Sequence, residues 1–170
     1  MHHPFRTLAA AALVATTAFA VAPAAGAATS AAAPPECTNA ELTASYAGGQ
    51  GAAGHVYGRI VLRNTSDQSC WVQGYGGLSY VGGTHGRQVG AAADRTKSPT
   101  PRTLVAPGER VRSQVEETST GPYSDQQCDP QKVAGFRVYL PDETRSQFVE
   151  HPTTGCADTD VHLLSHKAYR

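Results

Sequence analysis

The chain has 170 residues, 40% of them hydrophobic and 16% charged, with 14 basic and 14 acidic side chains and a formal net charge of zero. That length suits one domain with a real core. The balanced charge offers no basic field for nucleic acid and no acidic field for a cationic partner, and it argues against electrostatic partners in general.

The first residues read as a secretory signal peptide. "MHHPFR" supplies the cation Arg6, "TLAAAALVATTAFAVA" is an apolar run too short for a comfortable membrane span, and Ala25–Ala27 gives the small residues of a cleavage site. Residues 1–27 are therefore excluded from the fold. A lipid anchor needs a cysteine directly after the apolar run, but the first is Cys37, so the product reads as soluble, secreted and extracellular. No later run is long enough to span a membrane. Residues 28–36, "ATSAAAPPE", form an Ala/Pro-rich leader expected to be flexible. Residues 37–170 are expected to form one domain.

From Cys37 onward the apolar period is two. "ELTASYA" places Leu42, Ala44 and Tyr46 on one face, and "HVYGRIVLRN" places Val56, Ile60 and Leu62 together. "SCWVQ", "GLSYVG" and "RTLVA" are shorter runs. In "RVRSQVEET", Val111, Ser113 and Val115 alternate with charged residues and Gln114. "GFRVYL", "QFVE" and "DVHLLS" complete the series. Short runs about ten residues apart, bounded by Gly, Pro, Asn and Asp, predict an all-β antiparallel sandwich of about 7–9 strands. No segment keeps a helical stripe over three turns. The expected core is Leu42, Val56, Ile60, Leu62, Val72, Leu78, Val111, Val115, Phe136, Val138, Leu140 and Val161. The longest loops are expected near 91–101 and 119–132.

Cys37, Cys70, Cys128 and Cys156 all follow the signal peptide. An even count in an exported chain indicates two disulfides with three possible pairings. Zinc is the competing reading, but there is no C-x-x-C and no close Cys/His spacing. Nearest-neighbour pairing, Cys37–Cys70 and Cys128–Cys156, is the expectation.

Few motifs suggest chemistry. "GQGAAG", Gly49–Gly54, matches G-x-G-x-x-G, but a strand-like run follows where a dinucleotide site needs a helix. It reads as a hairpin loop. There is no G-x-S-x-G elbow, and His55, His85, His151, His162 and His166 are scattered. His162 and His166 have zinc spacing only on a helix, and their segment reads as a strand. Neighbouring acids, Glu116–Glu117 and Asp142–Glu143, read as solvated surface. Asn64-Thr65-Ser66 fits a glycosylation sequon but reads better as a turn. No catalytic residue, cofactor or metal ligand is assigned, and the chain is not expected to be an enzyme.

"NTSDQSCWVQGYGGLSYVG", Asn64–Gly82, concentrates the sole tryptophan and two tyrosines. It reads as a hairpin pinned at Cys70. In a strand, Cys70 and Val72 share the inward face, so Trp71 points outward, beside the Gly74–Gly77 turn and Tyr75. Trp71 and Tyr75 are the candidate contacts for an extracellular protein or glycan.

The order of "AAGH", "LRNTS", "CWVQGYGG", "GRQVG", "LVAPGE", Cys128, "FRVYLP" and Cys156 resembles the secreted actinobacterial family called domain of unknown function 4232, over about Cys37 to Leu164. That family typically carries G-Y-P-G where this chain has Gly74-Tyr75-Gly76-Gly77, and the missing proline should loosen the turn. The resemblance implies an immunoglobulin-like sandwich, exported as a free protein or a lipoprotein, with no established activity. Two functions fit: a non-catalytic extracellular binding module with no nucleic-acid partner, or a secreted protease inhibitor presenting Ser119–Gln127 ahead of Cys128.

Overall fold

The computed structural model describes residues 32–83 and 85–170. The expected signal peptide and residues 28–31 of the leader lie outside the described residues. Ala33–Arg170 fold as a unit. Among the described residues there are eleven strands and one short helix: β1 Leu42–Ala52, β2 His55–Asn64, β3 Cys70–Val72, β4 Gly77–Val81, β5 Gln88–Val89, β6 Asp94–Arg95, β7 Thr103–Val105, β8 Arg110–Thr118, α1 Asp125–Cys128, β9 Pro130–Tyr139, β10 Ser146–Cys156 and β11 Leu164–His166.

The protein is an all-β sandwich. One sheet has the order β1-β2-β8-β11-β6, the other β10-β9-β4-β5, and β3 and β7 form a separate pair. The β1–β2 hairpin closes through Ala53 and Gly54, whose φ values of 47° and 83° give the two-residue turn that matches strand twist. The Gly49–Gly54 motif is thus strand end and hairpin turn. β8 lies antiparallel to β2 with Ile60 opposite Ser113 and Leu62 opposite Val111. In the second sheet, Leu78 and Tyr80 lie opposite Val138 and Phe136.

Ten of the twelve expected core residues are buried, Phe136, Val138, Leu62 and Val115 completely. Val56 is corrected: it is 40% exposed. It shares a face with Ile60 but lies nearer the hairpin tip, where the sheets part and it lines a cleft. Val161 is only partly buried against the core. The strand count also exceeds the expected 7–9. The additional strands, β5 and β6, have two residues each, too few to show a period. β6 lies inside the expected 91–101 loop. The 119–132 segment carries α1, whose Ser124 N-cap and Gln127 form a reciprocal capping box.

The expected hairpin over Asn64–Gly82 is not formed. β3 pairs with β7, whereas β4 pairs with β9 and β5. Gly74 turns the chain with φ 91°, and Gly76 then packs so closely that a Cβ there would lie 2.1 Å from the Tyr139 carbonyl oxygen. The stretch therefore leaves one pair and enters a different sheet.

The disulfides are Cys37–Cys70 and Cys128–Cys156, closing sequence separations of 33 and 28. Such bonds belong to an oxidising environment. No helix among the described residues is long and apolar enough to cross a membrane. The last leader residues are held in place, contrary to their expected flexibility: Trp71 N–H donates to the Pro35 carbonyl and Cys37 N–H to the Trp71 carbonyl, both at 2.9 Å. One β10 side chain, Gln147, bonds the backbone of β1. Gln147 Oε1 accepts from Ala44 N–H at 2.8 Å, and Gln147 Nε2 donates to the Leu42 carbonyl at 2.7 Å.

Candidate functional site

Alternation along β3 buries Cys70 and Val72 and turns Trp71 outward. Trp71 lies opposite Leu104 of β7, which is 56% exposed. The Arg102 guanidinium sits 3.9 Å over the indole, a cation–π stack that also flattens the arginine against the surface. Ala33 and Pro34 complete a shallow depression of about 250 Å³ with these three side chains. Beneath it, burial and then the neighbouring Asp142 carboxylate raise the Glu36 carboxyl above its ordinary range, with Arg102 opposing.

Tyr75 is elsewhere. Its hydroxyl accepts from Ser98 N–H at 2.9 Å and donates to the Thr96 carbonyl at 2.8 Å. Its ring meets His166 edge-on at 5.8 Å. Tyr75 therefore pins the segment after β6. The structure does not bring Trp71 and Tyr75 onto one surface, because the chain changes sheet between them.

A second feature lies where the sheets part. Glu117, at the inward end of β8, is only 6% exposed. It accepts hydrogen bonds from Tyr46 Oη at 2.5 Å, Tyr80 Oη at 2.6 Å and His151 Nε2 at 2.9 Å. The four groups come from β1, β4, β8 and β10, so they tie both sheets together. Phe136 stacks on His151 with centroids 4.7 Å apart. Burial alone would raise the Glu117 carboxyl, but the hydrogen bonds from His151, Tyr46 and Tyr80 and the His151 charge hold it below its ordinary value. Burial, together with the Glu117 contact, raises both tyrosine hydroxyls far above their ordinary range. Above the cluster opens a cleft of about 420 Å³, walled by the β1–β2 turn, Thr118, Ser119, Thr153 and Thr154. Glu117 spends its oxygens on three internal donors, so the cluster's evident chemistry is to hold the sheets in register at the cleft floor.

Glu117 is a correction to the surface reading of Glu116–Glu117. Glu116 remains outside, 3.0 Å from His55. The signal was present: extending the inward series Val111, Ser113, Val115 by two residues reaches Glu117. Its partners were not legible, since they come from three other strands. Of the neighbouring pair, Asp142 is exposed and Glu143 half-buried, with the latter accepting from Asn39 N–H at 3.0 Å.

The other histidines are divided. His162 is exposed and pairs with Asp94 at 3.0 Å. His166 is buried, with Nδ1 3.3 Å from Ser113 Oγ. That serine–histidine contact is closed to solvent, and the Ser113 hydroxyl donates to the Lys167 carbonyl. Among the described residues no group of three or more His, Cys, Asp or Glu side chains is arranged to hold a metal. Asn64 is buried and forms the turn: its Oδ1 accepts from Ser66 N–H, and its Nδ2 donates to the Gln68 and Val105 carbonyls. In Ser119–Gln127, Asp125–Gln127 belong to α1, so the extended part ends at Ser124.

A model of the family described as Domain of unknown function (DUF4232) matches residues 37–169. No curated protein and no solved structure matches the chain.

Proposed function

The chain belongs to the family Domain of unknown function (DUF4232), and from that premise we propose that it is an exported, non-catalytic module that binds an extracellular protein through Trp71, Arg102 and Leu104. Export is supported by the signal-like residues 1–27 and by two disulfides, which persist in oxidising compartments. The observation that carries the binding reading is the exposed Leu104 beside the Trp71–Arg102 stack. Tryptophan and arginine are among the residues most enriched at the energetic hot spots of protein interfaces. A protein partner fits better than a glycan. Sugars stack on an open aromatic face, and here a guanidinium covers one face at 3.9 Å.

The test is photo-crosslinking from position 104 in the producing cell's culture and envelope, with capture compared between the parent, Leu104→Asp and Arg102→Ala. Recovery of one protein that both variants lose at unchanged melting temperature supports the reading. Equal capture by all three, or one-to-one inhibition of a subtilisin-like or trypsin-like protease, overturns it.

A further inference from the structure

The zero net charge conceals a strong segregation. On the outer face of the five-stranded sheet, β2 presents Arg59 and Arg63 and β8 presents Arg110 and Arg112, all exposed. Arg63 lies directly opposite Arg110, and Arg59 opposite Gln114. Beyond β11 the chain returns to the same face, and the backbones of Arg170 and Arg112 exchange two hydrogen bonds of 2.9 and 3.1 Å. Arg59, Arg112, Gln114 and Arg170 line a shallow depression of about 340 Å³. Among the described residues every ion pair involves a histidine, so none of these five arginines has a carboxylate partner. Like charges directly opposite each other on a sheet destabilise it.

We propose that this arginine face binds a linear polymer of repeating phosphate groups outside the cell. Three features select that partner. All five cations are arginines, whose planar fork donates two parallel hydrogen bonds to a pair of phosphate oxygens. Their arrangement is a grid: about 13 Å separates Arg59 from Arg63 along the strand, and about 5 Å separates neighbouring strands. A flexible chain of closely spaced anions can follow such a grid across the sheet. The face also lacks an apolar anchor for a bilayer. Val61 is buried between the arginines, and Tyr57, the exposed aromatic residue on this face, lies at the far end beside Glu116. The proposal is independent of the Trp71 surface, which lies on the separate β3–β7 pair.

Long-chain inorganic polyphosphate is the probe, titrated by calorimetry at about 50 and 200 mM salt. Because each neutralised phosphate releases counterions, affinity should fall by roughly tenfold or more over that range. Arg59→Gln with Arg112→Gln should weaken binding at least about tenfold and flatten the salt dependence. Arg145→Gln with Lys132→Gln removes equal charge elsewhere on the exposed surface and should leave both unchanged. Thermal melting of each variant separates folding from binding; Arg110→Gln removes a like charge from the position opposite Arg63 and should not lower the melting temperature. Equal loss in both double variants would overturn the proposal. So would tighter binding to polygalacturonate of matched charge, or to vesicles containing anionic lipid, than to polyphosphate.

Discussion

Tyr46 crosses a whole strand to reach Glu117. It starts on β1, passes over Gly58 of β2, and donates to the carboxylate on β8 at 2.5 Å. A Cβ on Gly58 would stand 2.2 Å from the tyrosine hydroxyl, so the absence of a side chain at 58 is what opens the path. Tyr46→Phe is expected to cost about 1.5–3 kcal/mol, the usual worth of a hydrogen bond to a charged group. Gly58→Ala should cost at least as much in the parent but far less in a Tyr46→Ala background, because the clash is then gone. Urea denaturation of the four proteins measures that coupling, and additive effects would show that the ring does not occupy the path.

Glu117 should govern stability in acid. Its folded carboxyl sits below the ordinary value of 4.5. The unfolded chain therefore binds the proton first as pH falls. The stabilisation is complete above about pH 4.5 and drains away as pH drops through the lower folded value. Glu117→Gln should be less stable at pH 7 and should lose less on acidification below pH 4.5. Parallel urea midpoints for parent and variant over pH 5 to 2.5 would contradict this.

His166 acts in a different window. Burial first, then the Arg95 charge, push its folded value down from 6.5 to about 4. The neutral ring packs against Tyr75 and Ser113, while the unfolded chain prefers the cation below 6.5. Stability is thus full above pH 6.5 and lost as pH falls to about 4, by about 3 kcal/mol at most. His166→Gln should lose this dependence between pH 6.5 and 4.5, a range in which Glu117 is still ionised. An unaltered pH slope in the variant would sink the assignment.

The Arg102 stack has an optical readout, since Trp71 is the sole tryptophan. Arg102→Ala should shift its emission to the red and increase acrylamide quenching, as the guanidinium at 3.9 Å no longer covers the ring. Melting should change little, because exposed cation–π contacts are worth only about 0.5–1 kcal/mol. Unchanged quenching would mean that the arginine does not shield the indole.

Each disulfide should contribute roughly 3–4 kcal/mol on the chain-entropy model, given separations of 33 and 28. Cys37→Ala with Cys70→Ala should also loosen Pro35 and Glu36 from Trp71, which protection of the Trp71 amide from hydrogen exchange would report. Retained protection in the variant would show that the hydrogen bonds alone hold the leader.

Strand identity was legible because period-two alternation is a local property. The nine apolar runs correspond to β1–β4 and β7–β11. What failed was pairing. Cys70–Val72 and Gly77–Val81 look like hairpin partners in the sequence, yet Gly74 and the tight contact of Gly76 with Tyr139 send them to different sheets. The outward face of Trp71 follows from the inward face of Cys70, whereas Tyr75 goes with the turn to another surface. Net charge is silent about arrangement. A sum over the chain carries no information about the register that sets Arg63 against Arg110.

The Gln147 contact has a bearing on solubility. A sheet edge with free N–H and C=O groups is a template for another molecule's strand. On β1, a side-chain amide occupies the Ala44 donor and the Leu42 acceptor, imitating one residue of a neighbouring strand without offering an edge of its own. Further chains are thereby denied the start of a ladder at that point of the edge, which works against edge-to-edge aggregation.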